Sequence, residues 1–201
     1  GSLLIPCARA TAVAAGGALA VDRHRFSDLV TEHIQNHPNI TIIQERVTAL
    51  PKRCAVIATG PLTDGALAED LERQCGKRLS FFDAAAPIVS YESLDPEKIF
   101  FAARYDRGDA DYINCPMDQE TYTAFYQALI AAERAPLHDC DKEFFRVYEG
   151  CMPIEVLASR GEDTMRFGPL KPVGLRDPKT GHRPYAVVQL RRENQSGSLY
   201  N

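Results

Sequence analysis

The sequence predicts an α/β chain with α+β character, a mixed sheet flanked by helices. Three observations carry that expectation. In the first half, apolar runs at 40–47, 54–59 and 79–82 alternate with segments of helical period, an order that layers helices on a sheet. In the second half, one long amphipathic helix and a stretch rich in Gly and Pro separate two further strands. The 201 residues, 45% hydrophobic and 25% charged, suffice for a sizeable core.

The elements follow in chain order. Gly16-Gly17 precedes a short apolar run, and Asp22 has the side chain of a helix N-cap. Phe26, Leu29, Val30, His33 and Ile34 then recur at helical spacing until His37-Pro38-Asn39. Ile40–Val47 reads as a strand. Cys54–Thr59 is apolar throughout and reads as a central, buried strand, which makes Cys54 a core residue. Thr63 or Asp64 caps a helix that carries Leu67 and Leu71 and ends at Gly76. Leu79–Phe82 is another short strand.

Farther on, Ile99–Tyr105 reads as a strand. A helix runs from about Asp118 to Glu133, with Tyr122, Phe125, Tyr126, Leu129 and Ile130 on one face. Pro153 suits the first position of a short helix. Residues 161–184 hold four glycines and four prolines, and with Phe167, Leu170, Val173 and Leu175 they predict a long, shaped, packed loop. Tyr185–Arg191 returns as a strand.

Charge and thiols narrow the chemistry. The net charge is −4, but residues 1–141 carry 13 Lys/Arg against 20 Asp/Glu, whereas residues 142–192 carry 10 against 6. Such a basic stretch suits a phosphate backbone, or is a solvated loop. No apolar run has the length of a membrane span, and Gly1–Pro6 shows no basic leader, so no membrane is expected and reduced cytoplasmic thiols are. The six cysteines form no C-x-x-C pair, which disfavours zinc. His33 and His37 share a helix face without a third ligand, and no metal site is assigned. Gly16-Gly17 is not a G-x-G-x-x-G fingerprint and equally suits a plain turn.

Cys151 is the thiol with a chemical context. It lies in Glu149-Gly150-Cys151-Met152-Pro153-Ile154-Glu155, beside the positive end of a helix starting at Pro153, which favours the thiolate. Glu149 and Glu155 oppose that shift, and a cation such as Lys171 could restore it. The alternative is a small buried hydrophobe. Cys115, in Asn114-Cys115-Pro116-Met117, shares the pattern and the alternative.

A collinear series of segments adds what spacing cannot. Gly16–Arg23, Ile57–Thr63, Phe82–Pro87, Tyr112–Met117, Glu149–Glu155, Arg166–Leu175, Pro184–Arg191 and Leu199–Asn201 together resemble the folate- and FAD-dependent tRNA (uracil-5-)-methyltransferases of the TrmFO family, related to GidA. The resemblance covers essentially the whole chain. Family members begin with a strand, a dinucleotide-binding glycine loop and a further functional cysteine, and continue past the last residue here. The chain is therefore expected to be an internal stretch, and Cys7 is not assigned that cysteine's role.

The resemblance implies one compact unit over 1–201, chiefly the inserted tRNA- and folate-side domain of a flavoprotein of the FAD/NAD(P)-binding type. Residues 54–63 and 185–201 would belong to the flavin domain. It implies methylation of uridine 54 in the tRNA T-loop, with the one-carbon unit from methylenetetrahydrofolate, electrons from reduced FAD, and NAD(P)H as reductant. Cys151 occupies the position of the nucleophile that adds to uracil C6. Glu149, Glu155 and Tyr148 stand near it in sequence, and the C5 proton acceptor stays open. Gly16, Gly17, Thr59 and Gly60 are expected at the flavin, and Arg166, Lys171, Arg191 and Arg192 at tRNA or folate. Taken alone, this stretch is expected to hold no FAD, to be inactive, and to self-associate through an exposed seam. Two alternatives remain: a tRNA- or folate-binding module without catalysis, and a relative of the flavoproteins that modify the tRNA wobble uridine.

Overall fold

A computed structural model describes residues 1–60, 63–76, 86–134 and 152–201. Helices and small antiparallel sheets make up the chain, an α+β arrangement. It comprises two compact units: Gly1–Thr41 with Ala86–Ala132 and Ile154–Asn201, and Ile42–Ala85 with Glu133–Pro153.

The first unit opens with helix α1 (Leu4–Ala10) and a two-residue hairpin, β1 (Ala12–Val13) and β2 (Ala20–Val21). Helix α2 (Arg23–Gln35) follows. Asp22 is its cap as predicted: Oδ1 accepts from the Arg25 amide at 3.1 Å. The other oxygen accepts from the Gln195 amide at 3.0 Å and ties α2 to a distant turn. Those amides hold the Asp22 carboxyl below its ordinary range, that of Gln195 most strongly.

The centre of this unit is a sheet of three antiparallel strands, β4 (Phe100–Phe101), β5 (Ile113–Met117) and β6 (Ala186–Leu190), with β5 in the middle. Ile113 pairs with Leu190 and Met117 with Ala186. Pro116 lies past the reach of β4, which pairs only with Ile113 and Asn114, so its missing N–H costs no ladder bond on that side. Ile113 is 0% exposed and packs with Leu190 and Tyr200. Tyr200 belongs to β7 (Leu199–Tyr200), which pairs with β3 (Val89–Ser90). Asn114 is fully buried, and its amide donates to the carbonyl oxygens of Ala102 at 3.1 Å and Phe100 at 3.4 Å.

Helix α4 (Gln119–Ala131) starts where the sequence places it, with Asp118 accepting from the Thr121 amide at 2.8 Å. Its aromatic face meets α5 (Ile154–Ser159) and α6 (Glu162–Phe167). Tyr126 donates to the Ala158 carbonyl at 3.2 Å, and the buried Tyr122 hydroxyl donates to the Glu162 carbonyl.

Several expectations are corrected. The strand predicted over Ile99–Tyr105 shrinks to β4, because the chain turns left-handed at Tyr105 (φ 59°) and Asp106 (φ 51°). The predicted loop at 161–184 begins with α6. In the second unit neither Ile40–Val47 nor Cys54–Thr59 forms a strand; both are exposed, and Cys54 is not a core residue. A strand's polar groups need a ladder partner, and among the described residues none runs beside either segment. What the second unit does form is α3 (Gly65–Cys75), ending at Gly76 as predicted and burying Leu67, Asp70 and Leu71. Asp64 precedes it without a side-chain cap bond. Asp70 accepts from the Leu50 amide at 2.7 Å and pairs with Arg73 at 2.9 Å. The strand expected at Leu79–Phe82 lies outside the described residues.

Candidate functional site

The residues singled out by sequence fall in different parts of the chain. Cys151, with Tyr148 and Glu149, lies outside the described residues. Helix α5 begins at Ile154, immediately after Pro153, so the short helix expected there is present within one residue.

Gly16 and Gly17 form the β1–β2 turn. The Gly16 amide donates to Asp111 Oδ2 at 2.7 Å, and Tyr112 donates to the Ala15 carbonyl at 2.8 Å. A Cβ on Gly16 would stand 3.1 Å from the Tyr112 ring. A phosphate at this amide would have to displace a carboxylate, so Gly16 does not present a free anion-binding donor. Thr59 and Gly60 are in the second unit and exposed. The Thr59 and Thr63 hydroxyls are 2.6 Å apart, and the Thr63 hydroxyl donates to the Gly60 carbonyl at 2.8 Å. Among the described residues nothing lies within 4 Å of a Cβ built on Gly60, so a flat ligand could approach that backbone. Beside them is an open cavity of about 240 Å³, lined by Arg46, Thr48, Thr59, Thr63 and Asp64 among others.

The four basic residues are all in the first unit, arranged along β6. Arg166 is engaged within the protein. Its guanidinium carbon lies 4.0 Å from the Tyr185 ring centroid and 4.9 Å from that of Phe167, and Nε donates to the Tyr185 carbonyl at 3.2 Å. Lys171 is exposed next to Leu170, whose carbonyl accepts from the Val187 amide at 3.0 Å in β6. Arg191 and Arg192 leave the far end of β6, roughly 13 Å farther along the strand. Arg191 is exposed, and its backbone pairs with Asn201 in both directions, at 2.7 and 2.8 Å. Arg192 Nε is buried with no hydrogen-bond partner among the described residues, and the guanidinium lies against Gly197. The fold thus sets the cations in two groups rather than one cluster.

A polar chain that sequence reasoning missed fixes the Lys171 loop. Asn114 Oδ1 accepts from Gln189 Nε2 at 2.9 Å, and Gln189 Oε1 accepts from Arg104 Nε at 3.2 Å. Arg104 Nη1 then donates to the Lys171 carbonyl at 2.9 Å and the Val173 carbonyl at 2.7 Å. The Tyr105 amide donates to the Gly174 carbonyl at 2.7 Å. Gly174 must be glycine: its φ is 77°, and a Cβ would meet the Tyr105 ring at 2.9 Å. Burial lowers the Arg104 pKa, yet a guanidinium keeps its charge. Cys115 is half-buried, and burial pushes its thiol pKa up, away from nucleophilic use. Among the described residues no group of three or more His, Cys, Asp and Glu is placed to hold a metal ion, and no helix is long and apolar enough to cross a membrane.

The family model described as glucose inhibited division protein A matches residues 1–201. A methylenetetrahydrofolate–tRNA-(uracil-5-)-methyltransferase TrmFO of Shouchella clausii (strain KSM-K16) is 59% identical over 201 residues, 100% of this chain and 46% of that protein. The proteins of the same name from Halalkalibacterium halodurans and Bacillus pumilus (strain SAFR-032) are each 55% identical over 201 residues, with the same coverage, 100% and 46%. The chain spans about half the length of the curated relatives it matches.

Proposed function

The chain belongs to the glucose inhibited division protein A family, and from that premise we propose that the protein carrying it is a methylenetetrahydrofolate- and FAD-dependent tRNA (uracil-5-)-methyltransferase acting on uridine 54 of the T-loop. The observation that supports this reading above all is identity of 55–59% along all 201 residues with relatives named methylenetetrahydrofolate–tRNA-(uracil-5-)-methyltransferase. In this reading NAD(P)H reduces the flavin, and work on tRNA places the protein in the cytoplasm. Residues 54–63 and 185–201 belong to its flavin domain, and the rest is chiefly the inserted domain facing tRNA and folate.

Uracil C5 is a weak nucleophile. Cys151 supplies the remedy: its thiolate adds to C6, the C5=C6 π pair moves onto C5, and C5 bonds to the one-carbon electrophile. A base then takes the C5 proton, and the C6–S bond breaks to restore the double bond. The added carbon is then at the methylene level and still joined to its carrier amine; it becomes methyl when that C–N bond breaks, the amine keeping the pair, and a hydride equivalent takes its place, two electrons that reduced flavin would supply when bound. Thr59 and Gly60 offer that flavin a hydroxyl and an open backbone. The Gly16 amide is already bonded to Asp111 and offers no free donor. Lys171 and Arg191 take phosphates or the folate glutamate tail in this reading, which their exposure supports. Arg166 and Arg192 act on those ligands indirectly, through the backbone they pack against.

The test is transfer of labelled carbon from methylenetetrahydrofolate to tRNA by the whole protein, with Cys151→Ala beside it. The expected result is label in 5-methyluridine and a loss of at least about 10³-fold in the variant. Label absent from uracil C5 with wild-type protein would overturn the reading. Undiminished transfer by Cys151→Ala would remove the nucleophile assignment alone.

A further inference from the structure

Two aromatic rings stand in solvent at the two ends of the loop Gly168–Gly174. Phe167, the last residue of α6, is 70% exposed, and Tyr105, hydrogen-bonded to Gly174, is 61% exposed. Each is backed by an arginine: Arg166 lies 4.9 Å from the Phe167 centroid, and Arg107 lies 5.7 Å from that of Tyr105. Both rings stand on fixed backbone or side-chain partners. Arg166 is itself stacked on Tyr185 at 4.0 Å. Tyr105 sits on the Gly174 backbone in a left-handed conformation, which continues at Asp106. Two successive non-glycine residues in that region are costly and persist only where the surroundings impose them. Lys171, on the loop that runs from Phe167 to Gly174, is exposed on a backbone clamped by Arg104.

Exposed rings, each with a cation behind it and another exposed cation on the loop that links them, match single-stranded nucleic acid: unstacked bases offer π-faces and the intervening backbone offers phosphates. A paired stem hides its base faces in its own stack. We propose that Phe167 and Tyr105 are stacking platforms for two unpaired bases of the RNA loop, with Lys171 on a phosphate between them. The proposal rests on the tRNA-methyltransferase reading and adds the residues that would select a loop over a stem.

The test is fluorescence-anisotropy binding of a labelled T-arm stem–loop RNA to the whole protein at several salt concentrations. Phe167→Ala and Tyr105→Ala should each bind about 5- to 100-fold more weakly with unchanged salt dependence. Phe167→Leu, apolar without a π-face, should be as weak as alanine, and Phe167→Trp should restore binding. Lys171→Ala should instead flatten the slope of log affinity against log salt by about 0.7. Both rings are mostly exposed, so unchanged melting temperatures should accompany the losses. Wild-type affinity in Phe167→Ala and Tyr105→Ala would overturn the proposal. So would a raised KM for methylenetetrahydrofolate with RNA affinity intact, which would make the rings a pteridine site. The two readings fail separately: absent methyl transfer sinks the enzyme, whereas transfer with indifferent rings sinks only the platforms.

Discussion

Two apolar runs of similar composition, Cys54–Thr59 and Tyr185–Arg191, meet opposite ends in this molecule. The second becomes β6, paired along its length with β5 and burying Ala186, Val187 and Leu190. The first forms no strand, and Val56 is 90% exposed. Hydrophobic composition states a tendency to be buried, but a strand also requires neighbouring N–H and C=O groups and a facing apolar layer. β6 has both: β5 supplies the ladder, and Tyr200, with Val89 and Tyr91, supplies apolar packing around Leu190. For 54–59 neither is supplied among the described residues.

The contrast can be broken by mutation. The largest effect is expected at Ile113→Ala, which removes a fully buried side chain from the packed sheet and should cost about 2–5 kcal/mol in urea unfolding of the first unit. An intermediate effect is expected on acidification. The Asp22 carboxyl is held below its ordinary pKa of 3.8, first by the Gln195 amide and then by that of Arg25. A depressed folded pKa adds stability that is present above the unfolded value and lost as pH falls through the folded one. The urea midpoint should therefore decline as pH drops below that ordinary value, and Asp22→Asn should decline less steeply from a lower starting midpoint. Equal slopes would show that Asp22 does not link α2 to the 194–198 turn. The smallest effect is expected at Val56→Ala, within about 0.5 kcal/mol. A loss comparable to that of Ile113→Ala would mean that 54–59 is buried after all.

What was legible in the sequence was local chemistry. Asp22 and Asp118 announced two helices because a carboxylate before an apolar period accepts the first free amides. Gly76 announced an end and Pro153 a beginning. What stayed hidden depended on partners far along the chain. β5 is masked by Pro116, which is tolerated only because β4 is so short. Helix α6 is six residues between two glycines, too short for a period to show. The predicted packed loop is half right: Leu170 and Leu175 are buried, whereas Phe167 is exposed.

The candidate site divides the same way. A cation-rich stretch and its glycines could be read, but which cation is free could not. Arg166 is spent on Tyr185 and Phe167, and Lys171 is held outward by Arg104, a residue more than sixty positions away. The only advance sign of that clamp was a glycine at 174, whose need for space appears once Tyr105 is beneath it.

The measurement that bears most directly on the central claim is a trap with 5-fluorouracil-substituted tRNA, followed by digestion and mass spectrometry of the whole protein. Fluorine at C5 cannot leave as a proton, so the C6–S bond formed by the nucleophile persists. A stable adduct on the peptide containing Cys151 is expected, dependent on methylenetetrahydrofolate and reduced flavin. An adduct on another cysteine, or none under conditions that methylate ordinary tRNA, would contradict it.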